Sequence, residues 1–460
     1  MKKETAQEDR PSKKKRPGIG YRAFKGYVRF IYCGLYNRKN YVVGQENLPE
    51  DCPLIIISDH QNGLNDALSV IFASGHRGRD KVRAIARADA FQPVTEKLFR
   101  GLGLMPAFRL KFDGARTLSN NAYSFKEAAD VLLNNGTVLI YPEAGHQDKR
   151  WLGKFSFGYL RILFEAAERS NFEKEIYVMP SCNHYENYLE PQTDVAIKFG
   201  EPIALSPYYE LYKTEPRKAQ RQVNTLVHQR ISELMLNITD LENYDAIDFL
   251  RHTYGKRFAR RKGFNPNVLT EKLEADKLLF LELNEKKQED EELVKGIYQD
   301  ARRLLKDLKS MGISNDSFDK NPPFIVLLLE AIVLLALLPV CIVALIPLLL
   351  IILAPMPINR MINDVMLHST IKVLLSALVT IPLTIIALLA IIWPITGCIW
   401  YALIPIVCLP AFFIFVVYYR KAGRKFIKQI RFCYSKGKRP LEKLGKMREN
   451  LYQRIDKLLS

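Results

Sequence analysis

The chain of 460 residues contains no Cys-x-x-Cys pair. Its seven cysteines (Cys33, Cys52, Cys182, Cys341, Cys398, Cys408 and Cys433) are odd in number and scattered. This spacing indicates neither a disulfide framework nor a zinc site, and it fits a reducing compartment. No secretory signal is expected, because Ser12-Lys13-Lys14-Lys15-Arg16-Pro17 is followed by no long apolar run. Internal repeats are absent. Charge is missing over two long stretches. Phe324 to Ala354 carries only Glu330, and Val373 to Tyr419 carries no charged residue. About 20 apolar residues cross a bilayer, so both stretches are membrane candidates rather than buried core helices. The second is long enough for a hairpin of two spans turning at Pro394-Ile395-Thr396-Gly397. The first reads as one tilted, kinked helix or as a re-entrant hairpin broken near Pro339.

Positive charge is in excess, +18 overall, but it is concentrated at the ends. Residues 1–40 hold 12 Lys/Arg against 3 Asp/Glu, and residues 420–460 hold 14 against 3. The interior holds 41 against 43 and is almost neutral. Basic ends around a neutral middle exclude nucleic acid as the expected partner. They fit segments held on an anionic, cytoplasmic leaflet, and so an integral membrane protein whose domain between the basic N-terminus and the membrane segments lies on the cytoplasmic side. Two cytoplasmic ends require an even number of crossings, which three spans would violate. Tyr21 to Tyr36 has helical amphipathic spacing with Arg22, Lys25 and Arg29 on its polar face. It reads either as an interfacial helix or as a helix packed on the domain.

Residues 41–205 alternate apolar runs with helical patterns. Strands are expected at Tyr41–Val43, Leu54–Ser58, Ala84–Ala86, Thr137–Tyr141, Ile176–Pro180 and Val195–Phe199. Helices are expected at Asn65–Ala73, Gln92–Leu102, Asn120–Asn134 and Phe157–Ser170. Alternation of this kind predicts an α/β domain with a mixed, largely parallel sheet, whose site lies at the carboxyl ends of strands. Residues 210–320 are charged, glycine-poor and helix-periodic, and read as a helical linker subdomain. The expected division is therefore a basic N-terminus with an interfacial amphipathic helix at 1–40 and a catalytic α/β domain at 41–209. It continues with the helical subdomain at 210–320, a C-terminal α-helical transmembrane region at 321–419 and a basic cytoplasmic tail at 420–460.

His60 follows one expected strand in Ser58-Asp59-His60-Gln61-Asn62-Gly63-Leu64-Asn65-Asp66, and Glu143 follows another in Tyr141-Pro142-Glu143-Ala144-Gly145-His146. A histidine with a carboxylate to orient it is equipment for proton abstraction. Asp66 and Asp59 both remain possible partners of His60. Two further blocks complete an order: Leu102-Gly103-Leu104-Met105-Pro106-Ala107-Phe108-Arg109, and Val178-Met179-Pro180-Ser181. Together they resemble the four sequence blocks of the glycerolipid acyltransferases, the glycerol-3-phosphate and lysophosphatidic acid acyltransferases, over roughly residues 40–205. The common pattern is His-x4-Asp, whereas here Asp66 makes it His-x5-Asp. The common third block is Phe-Pro-Glu-Gly-Thr-Arg, here Tyr-Pro-Glu-Ala-Gly-His. Both departures look like the subgroup of the yeast glycerol-3-phosphate/dihydroxyacetone-phosphate acyltransferases.

The resemblance implies acyl transfer from a thioester to an alcohol. Such a reaction needs a base for the hydroxyl proton and stabilisation of a tetrahedral oxyanion. On this basis His60 is the expected general base and Asp66 the residue that fixes its tautomer. Arg109 is expected to bind an acceptor phosphate, and Glu143 and Gly145 to shape the acceptor site. No metal and no cofactor are expected. The co-substrate is acyl-CoA or acyl-carrier protein, the acceptor is a phosphorylated glycerol, and membrane lipids surround the chain. For Lys149, Arg150 and Lys154 a solvated basic face is the expected reading, and for His146 and His184 a structural one. A metal hydrolase using His60, Asp66, Glu143 and His146 finds no support in His-x-His or His-Glu-x-x-His spacing. A transporter is disfavoured because Glu330 alone is ionisable within the apolar segments.

Overall fold

The computed structural model describes residues 18–75, 82–88, 91, 93, 96–101, 103–107, 117–143, 149–320 and 322–459. Arg109, Gly145 and His146 lie outside the described residues.

Eight strands form one mixed sheet: β1 (Lys39–Val43), β2 (Leu54–Ser58), β3 (Val82–Arg87), β4 (Leu104–Ala107), β5 (Thr137–Ile140), β6 (Tyr177–Tyr185), β7 (Asp194–Phe199) and β8 (Ile203–Ala204). Their order is β1-β7-β6-β2-β5-β3-β4, with β8 beside β6. β6, β2, β5, β3 and β4 run parallel, while β7 is antiparallel to β6 and carries β1 parallel to itself. The expected mixed, largely parallel sheet is therefore present.

β2 sits at the centre, and all five of its residues are buried. A continuous apolar run is what a strand covered on both faces requires. Alternation sends Ile55 and Ile57 to one face, where they join Leu132, Tyr159, Leu163 and Val227 from three helices. Leu54 and Ile56 go to the other face, with Ala67 and Val70 of the helix Leu64–Ser74. Each fully buried isoleucine contributes about 1.5–3 kcal/mol. The helix Thr117–Leu133 stops at Asn135, whose φ is +52°, and the Gly136 N–H donates to the Val131 carbonyl at 2.8 Å. A Cβ on Gly136 would stand 2.5 Å from that same oxygen, so the predicted Asn-Gly stop is a steric requirement.

The structure adds β4 and β8 to the six expected strands, and one expected strand ends elsewhere. β6 does not end at Pro180 but continues to Tyr185. Pro180 has no N–H, and it falls where the flanking partner changes from β8, opposite Tyr177 and Val178, to β7, opposite Ser181 to Tyr185.

The helix Pro216–Leu234 packs into the α/β core through Ala219, Val223, Val227 and Ile231. A second core begins at Leu236 and joins the helices Tyr244–Thr253, Gly255–Arg261, Leu269–Glu289 and Glu291–Met311 to the last helix, Arg439–Leu458. The basic end of the chain therefore packs into this second core. Leu441, Leu444, Leu451 and Ile455 are buried, and Asp456 accepts from Tyr254 Oη at 2.7 Å and Arg261 Nη1 at 2.8 Å. Regular apolar spacing within a basic segment gives one face to the core and one to solvent.

Among the described residues, three helical segments are long and apolar enough to cross a membrane: Phe324–Met361, Leu367–Thr396 and Ile399–Ser435. The last two form the expected hairpin, with Gly397 at φ +67° as its turn. The first passes through Pro339 unbroken and stops later, at the 3-10 turn Ile346–Leu348 that contains Pro347. Glu330, near the start of this segment, pairs with Lys425 at 3.5 Å. Arg420 and Arg424 pair with Glu190 of the α/β domain, and Lys372 donates to the Leu189 carbonyl at 3.1 Å. The start of the first segment, the start of the second and the end of the third therefore all lie beside the α/β domain. His368 Nε2 lies 2.9 Å from the Ile362 carbonyl, so the end of the first segment is there too. The first segment thus begins and ends beside the α/β domain, as the hairpin does.

Of the amphipathic stretch near the start, Ile19–Arg29 buries no residue, whereas Phe30–Tyr36 packs Ile31 and Tyr32 inward. The second half of that stretch is thus packed on the domain, as one of the two readings expected.

The topology predicts opposite accessibility for two native cysteines. In variants retaining only Cys398 or only Cys52, reconstituted in sealed vesicles of one orientation, a membrane-impermeant maleimide should label one and spare the other. Labelling of both from the same side would refute the hairpin.

Candidate active site

β2 and β5 are parallel neighbours with Ile57 opposite Ile140, so their carboxyl ends open on one edge of the sheet. β2 delivers Asp59 and His60 there, and β5 delivers Tyr141 and Glu143. The chain then turns at Gly63, whose φ of +56° and ψ of −133° suit only glycine, and enters the helix Leu64–Ser74 with Asp66 in its first turn.

Asp66 is fully buried. Its Oδ2 lies 3.0 Å from His60 Nδ1 and accepts the N–H groups of Gln61 at 2.9 Å and Asn62 at 2.7 Å. Its Oδ1 accepts the Tyr185 hydroxyl at 2.8 Å. Six residues of separation close into contact because Gln61, Asn62 and Gly63 fold back over the helix start. With Nδ1–H donated to the carboxylate, the basic lone pair of His60 is on Nε2. The ring stacks on Tyr141, with centroids 4.3 Å apart, and the side chain is 18 % exposed, enough for a small reactant to reach it.

Asp59 points elsewhere. It accepts the Asn183 N–H at 2.8 Å and the Ser58 hydroxyl at 3.2 Å. Burial, together with the charges of Asp66 and Glu143, holds its carboxyl well above the usual range. Of the two candidate partners of His60, the geometry therefore selects Asp66.

Glu143 is committed to the backbone. Oε1 accepts the His60 N–H at 2.9 Å and Oε2 accepts the Gly153 N–H at 2.7 Å. Burial pushes its carboxyl up to about 7 against these two hydrogen bonds. Its effect on any bound molecule runs through the loops it ties together.

Arg150 departs from the expected solvated face, being 4 % exposed. It bonds His184 Nδ1 at 3.1 Å and donates to the Tyr185 carbonyl at 2.8 Å, and its guanidinium lies 5.1 Å from the centre of the Tyr188 ring. Burial and the neighbouring Arg150 charge hold His184 well below the usual imidazole range, so it is neutral and accepts. The Tyr188 hydroxyl in turn bonds Gln61. Among the described residues no three His, Cys, Asp or Glu side chains converge as a metal site.

Sequence reasoning missed Tyr32, Tyr185, Tyr188, Ser369 and Thr370. Tyr32 Oη bonds Ser69 Oγ at 2.6 Å and donates to the Asn65 carbonyl at 3.0 Å, beneath the helix that carries Asp66. Tyr185 follows the Val178-Met179-Pro180-Ser181 block by four residues, and reading that strand past its proline would have found it.

The family model described as Acyltransferase matches residues 39–183, which span β1 to most of β6. No curated protein matches the chain. Among solved structures, the chain is similar to the 1-acyl-sn-glycerophosphate (LPA) acyltransferase of Thermotoga maritima at 18 % identity and a TM-score of 0.33. That match covers 46 % of this chain and 78 % of the other. A superposition this loose adds nothing to the argument.

Two stability measurements test the site. Tyr185→Phe removes one of the four donors to a buried carboxylate and should cost about 1–3 kcal/mol in denaturant unfolding; no loss would show that Asp66 does not need it. A raised folded-state pKa for Glu143 means that its ionisation opposes folding. Its contribution is present below the ordinary value of 4.5 and is lost as pH rises toward 7. Glu143→Gln should therefore gain about 3 kcal/mol on the wild type between pH 4.5 and 7. A constant difference would contradict the assignment.

Proposed function

We propose that the protein is a membrane-bound O-acyltransferase. It would move a fatty acyl group from an acyl thioester to the hydroxyl of glycerol 3-phosphate or a related phosphorylated acceptor. The observation that carries this reading is the His60–Asp66 contact at the carboxyl end of the central strand, inside the segment matched by the acyltransferase family model.

His60 Nε2 takes the acceptor hydroxyl proton as the oxygen attacks the thioester carbonyl carbon. Asp66 holds the ring with Nε2 outward and stabilises the imidazolium that forms. The tetrahedral oxyanion collapses with cleavage of the C–S bond, and the imidazolium returns its proton to the departing thiolate. Ester and free thiol result, and His60 is again neutral. No acyl-enzyme and no cofactor are needed, and acyl-CoA or acyl-carrier protein serves as co-substrate. Glu143 holds the His60 backbone in place. Arg109 is assigned to the acceptor phosphate and Gly145 to the acceptor site by sequence alone.

The product carries an acyl chain, and the apolar helices beside the site give it a bilayer to enter. The α/β domain lies on the side that gathers Arg420, Lys421, Arg424 and Lys425. By the excess of Lys/Arg on cytoplasmic loops, this side is the cytoplasmic one. That proximity to the membrane also favours a second reading, in which the acceptor is a lysophospholipid drawn from the bilayer.

Labelled acyl-CoA or acyl-carrier protein, offered to the purified protein with glycerol 3-phosphate, dihydroxyacetone phosphate or lysophospholipids, should give labelled ester with one acceptor class. His60→Ala should lower kcat by about 10²–10⁴-fold while the protein still inserts. Retained transfer would sink the assignment. Arg109→Ala should chiefly raise KM for a phosphorylated acceptor, and an unchanged KM would point to an acceptor without phosphate.

A further inference from the structure

The loop between His60 and Asp66 is not held by the α/β domain alone. The first turn of the apolar segment Leu367–Thr396 lies directly on it. Thr370 Oγ1 accepts the Leu64 N–H at 3.0 Å and donates to the Asn62 carbonyl at 3.2 Å. Ser369 Oγ accepts from Asn65 Nδ2 at 3.1 Å and donates to Asn62 Oδ1. Ser369 is completely buried. These four bonds reach three of the residues, Asn62, Leu64 and Asn65, that lie between the histidine and the aspartate.

The fit leaves no slack. A Cβ on Gly63 would stand 2.5 Å from Thr370 Oγ1 and 3.1 Å from Leu367 Cδ2. One turn further on, Val373 packs with Tyr32 and Phe72, joining the segment to the helix that carries Asp66. The Asn62 N–H, 2.7 Å from Asp66 Oδ2, belongs to the residue that Ser369 and Thr370 grip from the other side.

We infer that Ser369 and Thr370 are positioning residues for the His60–Asp66 pair, so that the start of the apolar hairpin is a working part of the active site and not only its anchor. Neither hydroxyl touches a reacting atom. They act through Asn62, whose N–H Asp66 accepts beside that of Gln61, and through Leu64 at the helix start, and so on the orientation of the His60 ring. An apolar segment that tilts or shifts along its axis would carry Thr370 away from Leu64 and loosen the pair. Misplacement of a catalytic group by about 1 Å costs on the order of 10²-fold in rate.

The kinetic arm of the test rests on the proposed acyl transfer, and the exchange arm does not. The full chain is compared in phospholipid nanodiscs as wild type, Ser369→Ala/Thr370→Val, Thr370→Ser, and Ile386→Ala, a lipid-facing control that is 59 % exposed. By hydrogen–deuterium exchange, the peptide covering residues 60–66 should lose about tenfold or more of its protection in the double variant, while peptides of β5 and β6 stay unchanged. In acyl transfer, kcat should fall about tenfold to a hundredfold with both KM values within about twofold. Thr370→Ser keeps the hydroxyl and should recover most of both losses, and Ile386→Ala should match the wild type. Unchanged exchange and kcat in the double variant would overturn the inference. So would a loss of protection spread evenly over the domain, which marks general destabilisation. If the wild type transfers no acyl group to any acceptor, the proposed function fails, while the exchange pattern still decides whether the hairpin fixes the loop.

Discussion

The structure of the site depends on burying one carboxylate. Asp66 has no contact with water, and an unpartnered buried carboxylate would cost many kcal/mol. Its donors come from three places: the His60 ring, two backbone N–H groups of the intervening loop, and Tyr185 far along β6. Meeting that demand fixes the loop path, which explains why Gly63 takes a backbone conformation other residues avoid. It also explains why β6 runs five residues past its proline, since a shorter strand would leave Tyr185 out of reach. The orientation of His60 follows from these constraints.

Two other acids crowd the same edge and are kept in different states by their surroundings. Burial beside like charges raises the Asp59 carboxyl well above the usual carboxylate range. Glu143, bonded to two backbone N–H groups, sits near the middle of the physiological range. Each environment gives its carboxyl one task. Asp66 orients the imidazole, Glu143 joins the His60 loop to Gly153, and Asp59 fastens the end of β2 to β6 through the Asn183 N–H. Separation of neighbouring titratable groups by environment is the general way such sites assign acid and base roles.

What was legible in the sequence was local. The apolar run Leu54 to Ser58, the Asn135-Gly136 stop, and the His60 and Glu143 positions after strands all follow from periodicity and turn chemistry. The Gly397 turn and the hairpin follow from the length of the uncharged run. What was not legible depends on long-range contact. Tyr32, Tyr185, Ser369 and Thr370 are ordinary residues in their local windows, and their meaning comes from hydrogen bonds spanning from 33 to more than 300 residues. The basic C-terminal segment misled for the opposite reason. Its charge content dominates its composition, while a stripe of leucines at helical spacing, which only the second core makes meaningful, decides where it lies.

The placement of the site relative to the apolar segments has a physical consequence for the whole molecule. Thr370 is three positions from Val373, where the uncharged run begins, and at 1.5 Å per residue the His60 loop lies within about one helical turn of it. Arg420 and Arg424 at the other end of the same hairpin grip Glu190, two residues past Tyr188, whose hydroxyl and carbonyl meet Gln61 and Asn62. The hairpin therefore contacts the His60 loop directly through hydroxyls at one end, and at the other through ion pairs to Glu190 near Tyr188. The basic residues at one end of the hairpin and the hydroxyls at the other thus meet the same part of the α/β domain.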